Sequence, residues 1–87
     1  MKTIHKYKLS RVYEEVIQMP EGAEILAIQY QQGSVCIWAL VDVNKRMVGR
    51  NIITLGTGHS IPEGERKYKY ISTVQVGEFV WHYFEVI

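Results

Sequence analysis

Short segments rich in β-branched and aromatic residues alternate along this chain with clusters of glycine, proline, asparagine and aspartate. The alternation is typical of short strands joined by turns. It predicts strands over residues 3–9, 15–19, 23–31, 35–41, 47–55, 68–76 and 78–86. Residues 10–15 fit either a turn or an irregular start to the second strand. No segment combines helical periodicity with capping residues, so we expect little or no helix.

The run over residues 35–41, VCIWALV, is apolar at every position. A strand with this pattern lies centrally in a sheet and is covered on both faces. A buried helix is the competing interpretation, but the β-branched and aromatic residues favour a strand. The N-terminal strand carries Lys6 and Lys8, which suit an exposed edge. Connections of turn length would place sequential strands side by side.

These elements predict a mainly β fold, a single domain over residues 1–87 built as a small antiparallel sandwich or barrel of about six or seven strands. The chain is 47% apolar and 22% charged, as folded globular domains are. A domain of 87 residues has little room for a pocket of roughly 300 Å³ or more, the size that small-molecule sites need. We therefore expect a nucleotide-sized pocket to be shared between copies in a homo-oligomer.

Charge and cysteine content narrow the function classes. A net charge of +1 argues against binding to duplex nucleic acid through bulk electrostatics, although a local basic pocket remains open. Cys36 is the single cysteine, which excludes an internal disulfide and a cysteine-cluster zinc site. Its apolar neighbours indicate a buried, inert thiol in a reducing cytoplasm. No secretory signal or membrane-spanning length is visible, so we expect no membrane partner.

The sequence Gly56-Thr57-Gly58-His59 is the most distinctive local feature. Glycines allow a backbone to approach a ligand closely, and successive amides in such a turn can hold an anion. Thr57 and His59 would add a hydroxyl and an imidazole to that site. The segment lacks the lysine of a P-loop and the third glycine of a dinucleotide fingerprint. A tight turn that ends a strand is the alternative interpretation.

Basic residues near this loop are candidate phosphate contacts. Arg50 lies on the same predicted strand, six residues before Gly56, and a guanidinium can grip a phosphate in a bidentate manner. Lys67 and Lys69 share one strand face because they are two residues apart. For the lysines, an ordinary solvated face is the competing interpretation.

The aromatic residues are candidates for stacking on a nucleobase, or for the core. Trp38 lies on the predicted central strand, and Trp81 lies on the last strand. Phe79, Trp81 and Tyr83 share one face of that strand, while His82 and Phe84 share the other. Because Trp81 and His82 point to opposite faces, one of them lines an interface or a site.

We expect no catalysis, no metal and no cofactor. The three histidines, His5, His59 and His82, lack the close helical spacing of a metal-hydrolase motif. Ser60 beside His59 does not make a dyad, because adjacent residues point apart. The apolar flanks of Cys36 oppose thiolate formation. The carboxylates are scattered across turns and edges.

Several blocks together carry a resemblance to a known group of proteins. They are IHKY at 4–7, PEGAEIL at 20–26, IWALVD at 37–42, GTGHSIP at 56–62, TVQ at 73–75 and FVWHYFE at 79–85. With these blocks in this order, the sequence resembles a family of short phage- and prophage-encoded proteins, the phage anti-CBASS sponge proteins. The proline usual in that family after the loop histidine is Ser60 here, a change that loosens the loop but keeps Gly58 and His59.

The resemblance implies a protein that binds cyclic dinucleotide alarm signals, such as 3′3′-cyclic GMP–AMP, and withholds them from host effectors without cleaving them. It also implies a homo-oligomer, such as a tetramer, in the cytoplasm of an infected bacterial cell. Such a ligand presents phosphates and flat bases, so we expect phosphate contacts from Arg50 and residues 56–59 and base contacts from Trp38 or Trp81. The residues leave three alternatives open: a protein–protein interaction module or phage accessory protein that binds a host protein directly, a histidine-dependent phosphodiesterase, and a single-strand nucleic-acid binder.

Overall fold

The computed structural model describes residues 1–10 and 12–87. These described residues form seven strands and contain no helix, which confirms the mainly β prediction. The strands are β1 (Lys2–Lys8), β2 (Glu14–Pro20), β3 (Glu24–Gln31), β4 (Ser34–Asp42), β5 (Met47–Gly56), β6 (Tyr68–Val76) and β7 (Phe79–Val86). Of the ambiguous interval 10–15, Ser10, Val12 and Tyr13 lie in the connection before β2, and Arg11 lies outside the described residues.

The strands form a sandwich of two antiparallel sheets. One sheet has the order β1-β4-β3 and the other has the order β2-β5-β7-β6. The expectation that sequential strands lie side by side holds for β3–β4 and β6–β7 and is wrong elsewhere. The chain changes sheet after β1, β2 and β4, and the β5–β6 connection passes over β7. The edges of β3 and β6 meet, where the Ser72 hydroxyl donates to the Ile28 carbonyl over 3.1 Å.

The core lies between the sheets, and β4 is central in its sheet as predicted. Strand pleating sends alternate residues inward, so each sheet contributes one apolar face. The buried cluster consists of Leu9, Ile17, Met19, Ala23, Ile28, Ile37, Ala39, Val41, Ile52, Val74 and Tyr83. Cys36 is buried as well, in agreement with its apolar surroundings in the sequence.

Two glycines serve the strand pairing in different ways. Gln32 and Gly33 both have positive φ, 48° and 89°, which is the geometry of a two-residue type I′ hairpin between β3 and β4. Gly49 lies in an uninterrupted β2–β5 register. A Cβ at this position would stand 2.9 Å from Cγ1 of Val16, so the glycine permits a close approach rather than a bulge.

Residues 57–67 cross the outer face of the four-stranded sheet. Both β5 and β6 run antiparallel to β7, so they are parallel to each other and need a crossover connection. Near its end, Arg66 Nη2 lies 2.7 Å from Glu14 Oε2, and Asn51 Nδ2 also donates to that carboxylate. Glu14 faces Ile53 across the strands. Ile53 and Leu55 are buried on the face that this segment crosses, although they point away from the main core.

An ion pair between Arg50 and Glu85 lies on the inner face of the four-stranded sheet. Arg50 donates to both carboxylate oxygens of Glu85 and, through Nη1, to the Ala23 carbonyl over 2.8 Å. The hydrogen bond to Glu85 raises the pKa of Arg50 above its ordinary value, although burial opposes this. Removing one partner from such a pair leaves the other charge poorly solvated. The ion pair therefore adds to the stability of the β5–β7 contact only when both charged side chains are present.

We expect Glu85→Gln to lower the free energy of unfolding by about 3 kcal/mol, because the guanidinium loses its counter-charge inside the sandwich. The matched control is Glu21→Gln, which removes the exposed pair between Glu21 and Arg46 and should cost about 0.5 kcal/mol. Urea unfolding followed by circular dichroism measures both. Equal small losses in the two variants would show that the inner pair adds no more than a surface pair.

Candidate functional site

A cavity of about 370 Å³ opens at one end of the sandwich, between the two sheets. Its lining is mostly apolar and consists of Ser10, Val12, Tyr13, Val35, Thr54, His59, Val76, Phe79, Trp81 and Tyr83. We call it the aromatic cavity. The expectation that one copy has little room for a pocket of this size is wrong, because the β1–β2 connection and residues 56–59 extend the walls beyond the paired strands.

One wall of the aromatic cavity is the inner face of β7. Phe79, Trp81 and Tyr83 all line it, which confirms that they share one face of the strand. The rings of Phe79 and Trp81 are stacked, with centroids 5.9 Å apart and planes 20° from parallel. Phe79 is 64% exposed. The stack therefore offers a flat, solvent-accessible aromatic surface at the mouth of the cavity.

A second part of the lining comes from a tight turn over residues 56–59. The His59 amide donates to the Gly56 carbonyl over 3.0 Å, and Gly58 has a φ of 90°. A positive φ at the third residue of a four-residue turn is the reason for glycine there. The turn interpretation of this loop is confirmed, and the turn also carries His59 to the cavity.

The imidazole of His59 lies over Gly56. The Gly56 amide donates to His59 Nδ1 over 3.2 Å. A Cβ at residue 56 would stand 3.0 Å from His59 Cε1 and 3.4 Å from Trp81 Cζ3, so a larger residue would displace the imidazole from this position. Because Nδ1 accepts a hydrogen bond, the neutral ring carries its proton on Nε2. His59 thus adds one N–H donor beside the aromatic wall.

Thr57 and His82 lie on the opposite, outer face of the same sheet. Thr57 Oγ1 is 2.7 Å from His82 Nε2, and Thr73 Oγ1 is 3.0 Å from His82 Nδ1. Tyr70 OH extends this chain to Thr73 over 2.7 Å. The prediction that Trp81 and His82 face opposite sides is confirmed, and Trp81 is the one that lines the aromatic cavity.

The structure does not bring the other predicted site residues to this cavity. Arg50 lies about 20 Å from Gly56 along β5, since each strand residue advances about 3.3 Å. Its guanidinium is held by Glu85 and Ala23. Trp38 is on the outer face of the three-stranded sheet, where Lys6 Nζ lies 6.0 Å from its ring centroid. Of the predicted set, His59 and Trp81 line the aromatic cavity, and Gly58 precedes His59 in the turn.

Sequence reasoning missed the contribution of the β1–β2 connection to the cavity. Ser10, Val12 and Tyr13 line it, although the interval was predicted only as a turn or irregular strand. The available signal was a pair of adjacent apolar residues, Val12 and Tyr13, in a segment without regular alternation. Both side chains are about half exposed in the structure. Thr54 was also missed, and it faces Tyr83 in the β5–β7 register.

Over residues 1–10 and 12–87, no group of three or more His, Cys, Asp or Glu side chains could hold a metal ion. His59 and His82 lie on opposite faces of the sheet. In that same part of the chain, no helix is long and apolar enough to cross a membrane.

Comparison with known proteins places the chain in one family. The family model described as a domain of unknown function, DUF7352, matches residues 1–87, and the chain belongs to this family. No curated protein matches the chain, and no solved structure does. Family membership therefore indicates no function, and a function has to be inferred from the geometry of the site.

We expect Gly58→Ala to lower the free energy of unfolding by about 1 kcal/mol, because a side chain with Cβ is strained at positive φ. Gly58→Asn is the matched control, since asparagine tolerates this conformation better. Urea unfolding gives the stability of both variants. In a Trp38→Phe background, Trp81 is the remaining tryptophan. Its fluorescence emission then reports whether His59 has moved away from the indole ring. Equal stability of the alanine variant and the parent would contradict the need for glycine.

Proposed function

We propose that this member of the DUF7352 family is a non-enzymatic binding protein that takes the flat base of a nucleotide into the aromatic cavity. Its proposed ligands are cyclic dinucleotides such as 3′3′-cyclic GMP–AMP, which it sequesters without cleaving them. The observation that carries the proposal is the stacked pair of Phe79 and Trp81 at the cavity mouth. The resemblance to the phage anti-CBASS sponge proteins supports the ligand class and a role in the cytoplasm of an infected bacterial cell.

The size of the cavity supports the binding of one base per copy. Sites for drug-sized ligands occupy roughly 300 to 1,000 Å³, and the aromatic cavity, at about 370 Å³, lies near the lower end. Stacking of a base on an aromatic side chain contributes about 1–3 kcal/mol. A cyclic dinucleotide has a second base, which would extend from the mouth. Two copies could then hold one ligand, which supports the proposed homo-oligomer.

The polar groups of the lining support recognition rather than chemistry. His59 supplies the Nε2–H donor, and Ser10 and Thr54 supply side-chain hydroxyls at the rim of an otherwise apolar surface. Few, well-placed polar groups fix the orientation of a ligand in such a pocket. The described lining residues include no carboxylate or thiol, and Nδ1 of His59, the ring nitrogen that could act as a base, already accepts the Gly56 amide. We therefore propose binding of an intact ligand.

We expect isothermal titration to detect at least one cyclic dinucleotide with a Kd of about 1 μM or less, about −8.2 kcal/mol. Trp81→Leu should weaken that binding by at least about tenfold, because the stacking surface is lost. Trp38→Leu is the matched control and should leave the affinity unchanged. Chromatography of the recovered ligand should show it intact.

Three outcomes would contradict this proposal, two of them the function and one the position of the site. No binding tighter than about 10 μM to any cyclic dinucleotide would exclude sequestration, since a host receptor would win the competition. A linear product would make the protein an enzyme. Loss of binding in Trp38→Leu, with Trp81→Leu unaffected, would move the site to the other sheet.

A protein–protein interaction module is the second candidate, and it is favoured by a strip on the outer face of the three-stranded sheet. Ile4 faces Leu40 and Lys6 faces Trp38 in the β1–β4 register, so these four side chains share that face. Ile4 is 57% exposed, and Leu26 of the neighbouring β3 is 46% exposed. Contiguous exposed apolar side chains mark contact surfaces. A second copy or a host protein is the proposed partner of this strip.

If the strip mediates self-association, native mass spectrometry should show a homo-oligomer that Ile4→Glu converts to monomer. The carboxylate would be desolvated in the contact, and this cost opposes assembly. Ile61→Glu is the control, because Ile61 is exposed on the crossover segment and lies outside the strip. Identical mass distributions for all three proteins would show that the strip is not the contact.

A further inference from the structure

A second cavity adjoins the aromatic cavity and differs from it in polarity. Its volume is about 260 Å³, and its lining consists of Lys8, Leu9, Ser10, Gly33, Ser34, Val35 and Tyr83. We call it the polar cavity. Ser10, Val35 and Tyr83 line both cavities. The two spaces are therefore neighbours that share part of their lining, and one ligand could extend over both.

The polar cavity is formed where two backbone segments meet at the end of the three-stranded sheet. The Leu9 amide donates to the Val35 carbonyl over 2.9 Å, which holds the end of β1 against the start of β4. The type I′ turn at Gln32 and Gly33 brings Ser34 to the same place. Because the walls are backbone segments fixed by hydrogen bonds and a tight turn, the cavity is preformed.

Lys8 supplies the positive charge of the polar cavity. It is the cationic residue among the described lining residues, and Ser10 and Ser34 add hydroxyl-bearing side chains. The Ser10 amide is already used, since it donates to Glu15 Oε1 over 2.8 Å. That amide is therefore not available to an anion in this space. Lys8 faces Cys36 across the strands, on the same sheet face as Lys6, but it is the last residue of β1, so its long side chain can turn over the end of the strand toward the cavity. Elsewhere on β1, Lys6 donates to Gln31 over 2.7 Å.

We propose that the two cavities form one bipartite site, in which the polar cavity takes the phosphate of the nucleotide whose base stacks in the aromatic cavity. Lys8 is the proposed phosphate contact, and the ligand class is a planar base joined through a sugar to an anion. This inference rests on the proposed function. It replaces Arg50, whose guanidinium is held by Glu85 and Ala23, as the source of charge for the ligand.

The test compares ligands that differ only in the phosphate. Titrations with adenosine and adenosine 5′-monophosphate, and with guanosine and guanosine 5′-monophosphate, measure the phosphate preference directly. We expect the protein to prefer a monophosphate by about tenfold, the effect of one charge-assisted hydrogen bond. Lys8→Gln should abolish the preference without changing nucleoside affinity. Lys8→Arg should keep it, and rising salt should reduce it.

Lys2→Gln is the matched control, because Lys2 lies on the same strand and does not line the cavity. It should retain the full preference. Equal affinity for nucleoside and monophosphate in the parent would overturn the bipartite site and leave base binding intact. A preference unchanged in Lys8→Gln would overturn the role of Lys8. Binding of none of these probes or cyclic dinucleotides would overturn the proposed function itself, and circular dichroism confirms that each variant is folded.

Discussion

The alternation of side chains along β7 organises both the core and the candidate site. Its inner face carries Glu85, Tyr83, Trp81 and Phe79 in order from one end of the sandwich to the other. Glu85 is paired with Arg50, and Tyr83 is buried in the core. Trp81 and Phe79 then emerge into the aromatic cavity. The inner face of β7 thus carries an ion pair at one end, a packed core residue in the middle and the aromatic wall at the other end. The same strand therefore stabilises the sandwich and positions the stacking surface.

The crossover of residues 57–67 links the two faces of the four-stranded sheet. At its start, the turn sends His59 to the inner face and Thr57 to the outer face. At its end, Arg66 is held by Glu14 on the outer face. The segment is therefore fixed at both ends by polar contacts. This explains why a long connection without strands of its own can support a defined cavity wall.

Much of the fold could be predicted because its signals are local. The period-two pattern placed the strands within one or two residues, and it separated Trp81 from His82. The pairing of distant strands could not be predicted, because it depends on contacts between residues far apart in sequence. Arg50 shows the effect: it is six residues from Gly56, but a strand is extended, so the two lie near opposite ends of the sheet. Lys8 is the converse case. It is far from residues 33–35 in sequence, and the pairing of β1 with β4 brings it close to them.

The order β2-β5-β7-β6 has a consequence for how the protein is made. During synthesis, β5 and β6 leave the ribosome before β7, yet β7 lies between them and pairs with both. Until residue 86 has been added, β5 can pair only with β2 and β6 lacks its strand partner, and the inner wall of the aromatic cavity does not exist. The three-stranded sheet, by contrast, has all its strands once β4 is complete. We therefore expect vectorial synthesis to produce the polar cavity's backbone walls early, whereas the aromatic wall on β7 forms only with the last of the described strands.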